Sequence, residues 1–94
     1  MSRPVALVTG AARGIGFGIA EKLAKSNFDL VIDDVFLEGD VENEMEILHR
    51  RGADVLYVQA DISSVEDRDK LVNAAKERFG RIDILVNNAG VAPK

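Results

Sequence analysis

Cysteine is absent from the 94 residues, which excludes a disulfide framework and any thiolate metal site. Long apolar runs are absent too. The longest uninterrupted one is a handful of residues, far short of the ~20 that a membrane span requires. The opening MSRPVALVTG lacks the basic-then-apolar layout of a secretion signal, so a soluble, cytoplasmic chain without membrane partners is expected. Positive charge is scarce: 12 Lys and Arg stand against 16 Asp and Glu, for a net charge of −4. That balance argues against nucleic acid or an anionic surface as the main partner. Histidine and tyrosine occur once each, which leaves few candidates for nucleophilic or acid–base chemistry. What is present is ordinary globular composition, 47% hydrophobic and 30% charged, enough for a folded chain. At this length residues 1–94 make one domain with a thin core, burying ~60–65% of the unfolded surface.

Short apolar runs and helical stripes alternate along the chain. Val5-Ala6-Leu7-Val8 is continuous rather than alternating, the pattern of a strand buried on both faces of a parallel sheet. After it Ile15, Ile19 and Leu23 recur at helical spacing, predicting a helix that ends around Ser26-Asn27. Leu30-Val31-Ile32 predicts a second strand closed by Asp33-Asp34. Val41, Met45 and Leu48 mark a second helix, with Gly52 at its C-terminal cap. Asp54 to Gln59 predicts a third strand. Ser63-x-x-Glu66 reads as a capping box opening a third helix through Leu71, Ala75 and Phe79, stopped by Gly80. Ile82 to Asn87 predicts a fourth strand. The order βαβαβαβ implies an α/β fold, a doubly wound, Rossmann-like parallel sheet.

The segment Thr9-Gly10-Ala11-Ala12-Arg13-Gly14-Ile15-Gly16 joins the first strand to the first helix. A helix N-terminus offers unpaired N–H groups and the positive end of the helix dipole, which suit a pyrophosphate. Glycine there permits a tight turn and close approach of the phosphates. The same glycines also serve a βα turn that merely packs tightly. Their spacing is T-G-x-x-x-G-I-G rather than G-x-G-x-x-G. Three further segments follow in order. Asp34 closes the second strand 24 positions after Gly10, Asp61-Ile62 follows the third 51 positions after it, and Asn87-Asn88-Ala89-Gly90 begins 77 positions after it.

Together these four segments resemble the short-chain dehydrogenase/reductase family, and the resemblance covers the whole chain. It implies that Gly10, Gly14 and Gly16 shape a phosphate turn to which Arg13 and Ile15 add contacts. It further implies that Asp34 accepts hydrogen bonds from the adenosine ribose, that Asp61 and Ile62 border the adenine, and that Asn88, Ala89 and Gly90 line the ribose side. Asn87 is expected to tie neighbouring strands together. Structural alternatives stay open: Asp61 as a helix cap, Asp33/Asp34 as a polar strand end, and the Asn-Asn-Ala-Gly turn as scaffold only. The implied cofactor is a nicotinamide dinucleotide. NAD is expected over NADP, because a 2′-phosphate near Asp34 meets like charge, at ~1–4 kcal/mol for 4 Å. Arg13 pulls the other way, facing Asp34 and the adjoining Asp33.

The family moves a hydride between nicotinamide and a carbonyl or alcohol carbon, using Tyr-x-x-x-Lys and an upstream Ser to handle the substrate proton. Tyr57, the one tyrosine, is followed four residues later by Asp61 and falls within the third strand, so no catalytic residue is assigned. His49 reads as an exposed residue at a helix C-terminus. Glu42, Glu44 and Glu46 read as a solvated helix face, with a metal site as the weaker alternative. The expectation is the cofactor-binding N-terminal portion of a longer oxidoreductase, inactive alone, whose small-molecule substrate requires the longer parent. The 3-oxoacyl-acyl-carrier-protein reductases are the most similar members, although an acid at Asp34 departs from the NADPH-using ones. The alternative is a non-catalytic nucleotide-binding or interaction module. Ile82 to Val86, left as a sheet edge, is expected to mediate homo-oligomer formation.

Overall fold

The computed structural model describes residues 3–88. Four strands, β1 (Val5–Thr9), β2 (Asp29–Asp34), β3 (Val55–Gln59) and β4 (Ile84–Asn87), alternate with three helices, α1 (Gly14–Lys25), α2 (Glu42–Arg50) and α3 (Val65–Phe79). All strand pairs are parallel, in the order β3-β2-β1-β4. The chain therefore builds outward from β1 to β3, then crosses back over the sheet to lay β4 on the other side of β1. The strand order thus reverses between β1 and β4, the kind of switch point at which open α/β sheets form ligand crevices.

Alternation along each strand divides the core between two faces. Ala6, Val8, Leu30 and Ile32 point toward α1 and α2, packing with Ala20, Ala24, Met45 and Leu48. Val5, Leu7, Val31 and Val58 point the other way, against Leu71 and Ala75 of α3. Every residue of β1 is buried, as expected of a strand with helices on both faces. The small Ala20 and Ala24 let α1 lie close to the sheet. No described helix is long and apolar enough to cross a membrane.

Several boundaries differ from the sequence reading. The second strand extends over both acids, so Asp33 and Asp34 are strand residues paired with Val58 and Gln59. The fourth strand begins at Ile84, because Asp83 closes the sheet start differently. Its N–H donates to the Val5 carbonyl while its carboxylate accepts from the Val5 N–H, both at 2.8 Å. Ser64, not Ser63, caps α3: its hydroxyl accepts from the Asp67 N–H at 3.2 Å. Ser63 is drawn away by Asp61, whose carboxylate accepts from both its N–H and its hydroxyl. A 3₁₀ turn at Glu38–Asp40 precedes α2 and had no sequence signal. Gly80 ends α3 in the left-handed conformation, and Gly52 does so one residue past the α2 cap.

Candidate functional site

Beyond β1 the chain turns sharply into α1, and two of its glycines adopt left-handed backbone, Gly10 at φ 63° and Gly14 at φ 59°. Gly16 is required for a different reason. A Cβ there would stand 2.3 Å from the Gly10 carbonyl oxygen, 2.7 Å from the Asn88 amide nitrogen and 3.0 Å from the Ala11 Cα. The turn is thus folded onto the first turn of the helix with no room for a side chain. Ala11 and Ala12 are buried beneath it, and the Ala11 N–H donates to the Asp33 carbonyl at 3.0 Å. The α1 N-terminus has no side-chain cap and no acidic residue in its first turn. Leading N–H groups with no side-chain cap and no local acid against the dipole are the arrangement that favours an anion.

Asp34 stands beside this turn. One carboxylate oxygen accepts from the Ala12 N–H at 3.0 Å and the other from the Val35 N–H at 2.9 Å. The side chain is held in one orientation by the glycine turn itself, with lone pairs on both oxygens left over. Arg13, in extended backbone just before α1, lays its guanidinium 4.0 Å from the centre of the Phe36 ring. This cation–π contact seats the charge on the Phe36 ring. Ile15, on the outer side of the helix start, is 78% exposed.

An open groove of about 390 Å³ runs across the carboxyl ends of β1, β2 and β3, lined by Gly10, Asp33, Asp34, Val35, Ala60, Asp61, Ile62 and Ser63. Asp61 is exposed on its rim, and its two bonds from Ser63 hold its carboxyl below the usual range. It fixes the turn before α3 rather than capping that helix. Ile62 is half-buried between this groove and the α3 core. Asn88 donates from its amide to the Gly10 carbonyl at 3.1 Å, and Asn87 accepts from the Thr9 hydroxyl at 3.2 Å. Both asparagines therefore brace the β1–β4 junction, where only Asn87 was expected to. Ala89 and Gly90, also assigned to the site by sequence, lie outside the described residues.

Asp33 corrects the sequence reading most. The sequence reading pairs it with Asp34 as a second carboxylate facing Arg13. Instead it is 1% exposed and turned to the α3 side of the sheet. Burial, then the neighbouring Asp34 charge, raise its carboxyl to about 7, against a weaker opposing pull from the Gly10 amide. Near neutrality its charge is only partial. Tyr57 is half-buried and donates its O–H to the Phe36 carbonyl. Burial followed by the Asp34 and Asp33 charges pushes its phenol up to about 12, which unfits it as an acid–base group at neutral pH. His49 is exposed at the end of α2, its ring 3.2 Å from the Ala53 carbonyl. Sequence reasoning missed Val35, Ala60 and Ser63 as lining residues and Phe36 as the seat of Arg13. Only their adjacency to Asp34 and Asp61 could have suggested them.

Comparison with known proteins bears on the family and the fold. The family model described as short chain dehydrogenase matches residues 4–94. A diacetyl reductase, (S)-acetoin forming, of Staphylococcus epidermidis is 40% identical over 86 residues, 92% of this chain and 33% of its own length. The crystal structure of a 3-oxoacyl-[acyl-carrier protein] reductase from Brucella melitensis in complex with NAD is 44% identical at a TM-score of 0.83, covering 94% of this chain and 34% of that one. The actinorhodin polyketide ketoreductase with NADPH matches at a TM-score of 0.84 and 35% identity, over 94% of this chain and 34% of that one. The chain spans about a third of the length of these relatives. It belongs to the short-chain dehydrogenase family.

Proposed function

We propose that this chain is the dinucleotide-binding part of an NAD-dependent oxidoreductase that moves a hydride between nicotinamide and a carbonyl or alcohol carbon. The observation that carries the reading is Asp34, fixed by the Ala12 amide between the glycine turn and the groove. Gly16 lets the turn pack directly onto the start of α1, the tight strand-to-helix connection that a pyrophosphate site at a helix N-terminus uses. In this reading the α1 N–H groups and Gly10, Gly14 and Gly16 hold the phosphates, with Arg13 and Ile15 at the edge. Asp34 receives the ribose hydroxyls. Asp61 and Ile62 border the base, and Asn88, with Ala89 and Gly90, lines the ribose side.

Selectivity follows from charge. A 2′-phosphate would crowd Asp34 at a cost of ~1–4 kcal/mol, roughly fivefold to nearly a thousandfold in affinity. Arg13 is engaged with Phe36, which favours NAD over NADP further. When bound, the nicotinamide supplies or accepts the hydride. This chain's own residues bind and orient it, and Tyr57 is no proton donor for the substrate, being committed to the sheet edge with Asp61 four residues on where the family has Lys. The 94 residues alone are expected to bind cofactor without turnover. The substrate is a carbonyl compound or its alcohol, handled by the longer parent protein. A 3-oxoacyl thioester is the leading candidate, on the likeness to the Brucella reductase. The test is an NADH fluorescence titration of the chain, with NADPH in parallel. Saturable NADH binding at least tenfold tighter than NADPH supports the reading, and no binding of either would end it.

A further inference from the structure

We propose that Asp33 is a proton-linked ligand of the adenosine half: its carboxyl takes one proton from solvent as the base fills the groove, and its O–H then donates to a ring nitrogen of that base. The inference rests on the dinucleotide reading above and adds to it an acid on the opposite face of β2 from Asp34. Asp33 lines the groove with Gly10, Asp61 and Ile62, yet is 1% exposed, and its Oδ1 has no hydrogen-bond partner. A buried polar atom left without a partner is costly, so a ligand atom that meets it gains what the free protein lacks.

The surroundings decide which protonation state the ligand finds. Asp34 on the same strand, Asp61 beyond β3 and Asp67 on α3 all act to hold a proton on Asp33, and Tyr57 of β3 is a neutral phenol. The Gly10 amide alone opposes them. Cations flanking the groove are engaged elsewhere: Arg68 with the Ile62 carbonyl, Lys70 with the Gln59 carbonyl, Arg13 with Phe36. Covering the groove removes water, and the adjoining pyrophosphate adds negative charge. Both favour the neutral acid. Adenine presents acceptor nitrogens on its ring edges, which a neutral carboxyl satisfies and a carboxylate repels.

The test is calorimetric titration of the chain with NAD between about pH 5.5 and 8.5, in two buffers of different ionisation heat. Affinity is expected to fall with rising pH, by up to about tenfold per unit above 7, with uptake of up to one proton. Asp33→Asn, a neutral isostere, should flatten that slope and abolish the uptake, which separates Asp33 from His49. Affinity independent of pH, affinity rising with pH, or an unchanged slope in Asp33→Asn would overturn the proposal while leaving the dinucleotide reading intact. Failure of the unmodified chain to bind NAD at any pH would overturn both. Should the variant fail to fold, carboxyl-carbon NMR of Asp33 in the unmodified chain answers the same question. Its titration should move upward when NAD is added, and a downward move or none would overturn the proposal.

Discussion

Gly16→Ala perturbs the turn at the point where it is most tightly built. The added methyl would sit 2.3 Å from the Gly10 carbonyl oxygen and 3.0 Å from the Ala11 Cα, both backbone atoms that no rotamer change can move aside. An ordinary contact needs about 3.5 Å, so the turn must lift off α1 by roughly 1 Å. Overpacking of this kind costs about 1–3 kcal/mol. For a domain of this size each kcal/mol lowers Tm by about 4–8 °C. The Asn88 bond to Gly10 would be disturbed at the same time, so the β1–β4 junction loosens with it. Gly14→Ala is the control. Its φ of +59° penalises a side chain by about 1–2 kcal/mol, but the new Cβ meets nothing within 4 Å. Both variants should lose stability in urea titrations, whereas only Gly16→Ala should displace the turn and break the Asn88–Gly10 bond, and that displacement should weaken NADH binding by tenfold or more. A Gly16→Ala protein as stable as the parent and binding NADH equally well would refute the steric account of the turn.

Asp34→Ser should weaken NADH binding and raise the NADPH-to-NADH affinity ratio by about ten- to a hundredfold, read by competition titration. Asp33 bears on stability as well as binding. Its carboxyl is near 7 folded against an ordinary 3.8, so the folded state holds a proton that the unfolded chain has released. Stability should therefore fall as pH rises from about 4 to 7, by about 4 kcal/mol at most, and urea midpoints of Asp33→Asn should lack that decline. Ser64→Ala removes the cap of α3 and should cost about 1 kcal/mol, whereas Ser63→Ala should leave α3 capped. Leu85 is 65% exposed on β4, and that strand pairs on one side only among the described residues. The chain should self-associate at high micromolar concentration by light scattering, and Leu85→Lys should restore a monomer.

The strands were legible because their burial is written directly in composition. Val5 to Val8 is apolar without a break, and the structure covers it on both faces. Helix ends marked by Gly52 and Gly80 were legible for a comparable reason, since left-handed backbone leaves few other choices. The α3 cap was not. Ser63-x-x-Glu66 and Ser64-x-x-Asp67 are offset by a single residue, and the choice between them depends on Asp61 capturing Ser63, a contact made across the preceding turn. The two strand-end acids show the limit most clearly. Period-two alternation places Asp33 and Asp34 on opposite faces, but only the packing of α3 and the glycine turn decides their surroundings. One acid becomes buried and half-neutral, while the other is clasped by backbone amides. Gly16 was legible as a glycine of a phosphate turn, whereas its particular reason, the approach of the Gly10 carbonyl, belongs to tertiary structure.

The most direct measurement is amide chemical-shift mapping of the chain during NADH titration. Saturable shifts confined to the glycine turn, Asp33–Val35, Asp61–Ser63 and Asn88 are the predicted result. Shifts that instead cluster on α3 and β4, or no saturable shifts at millimolar NADH, would contradict the account.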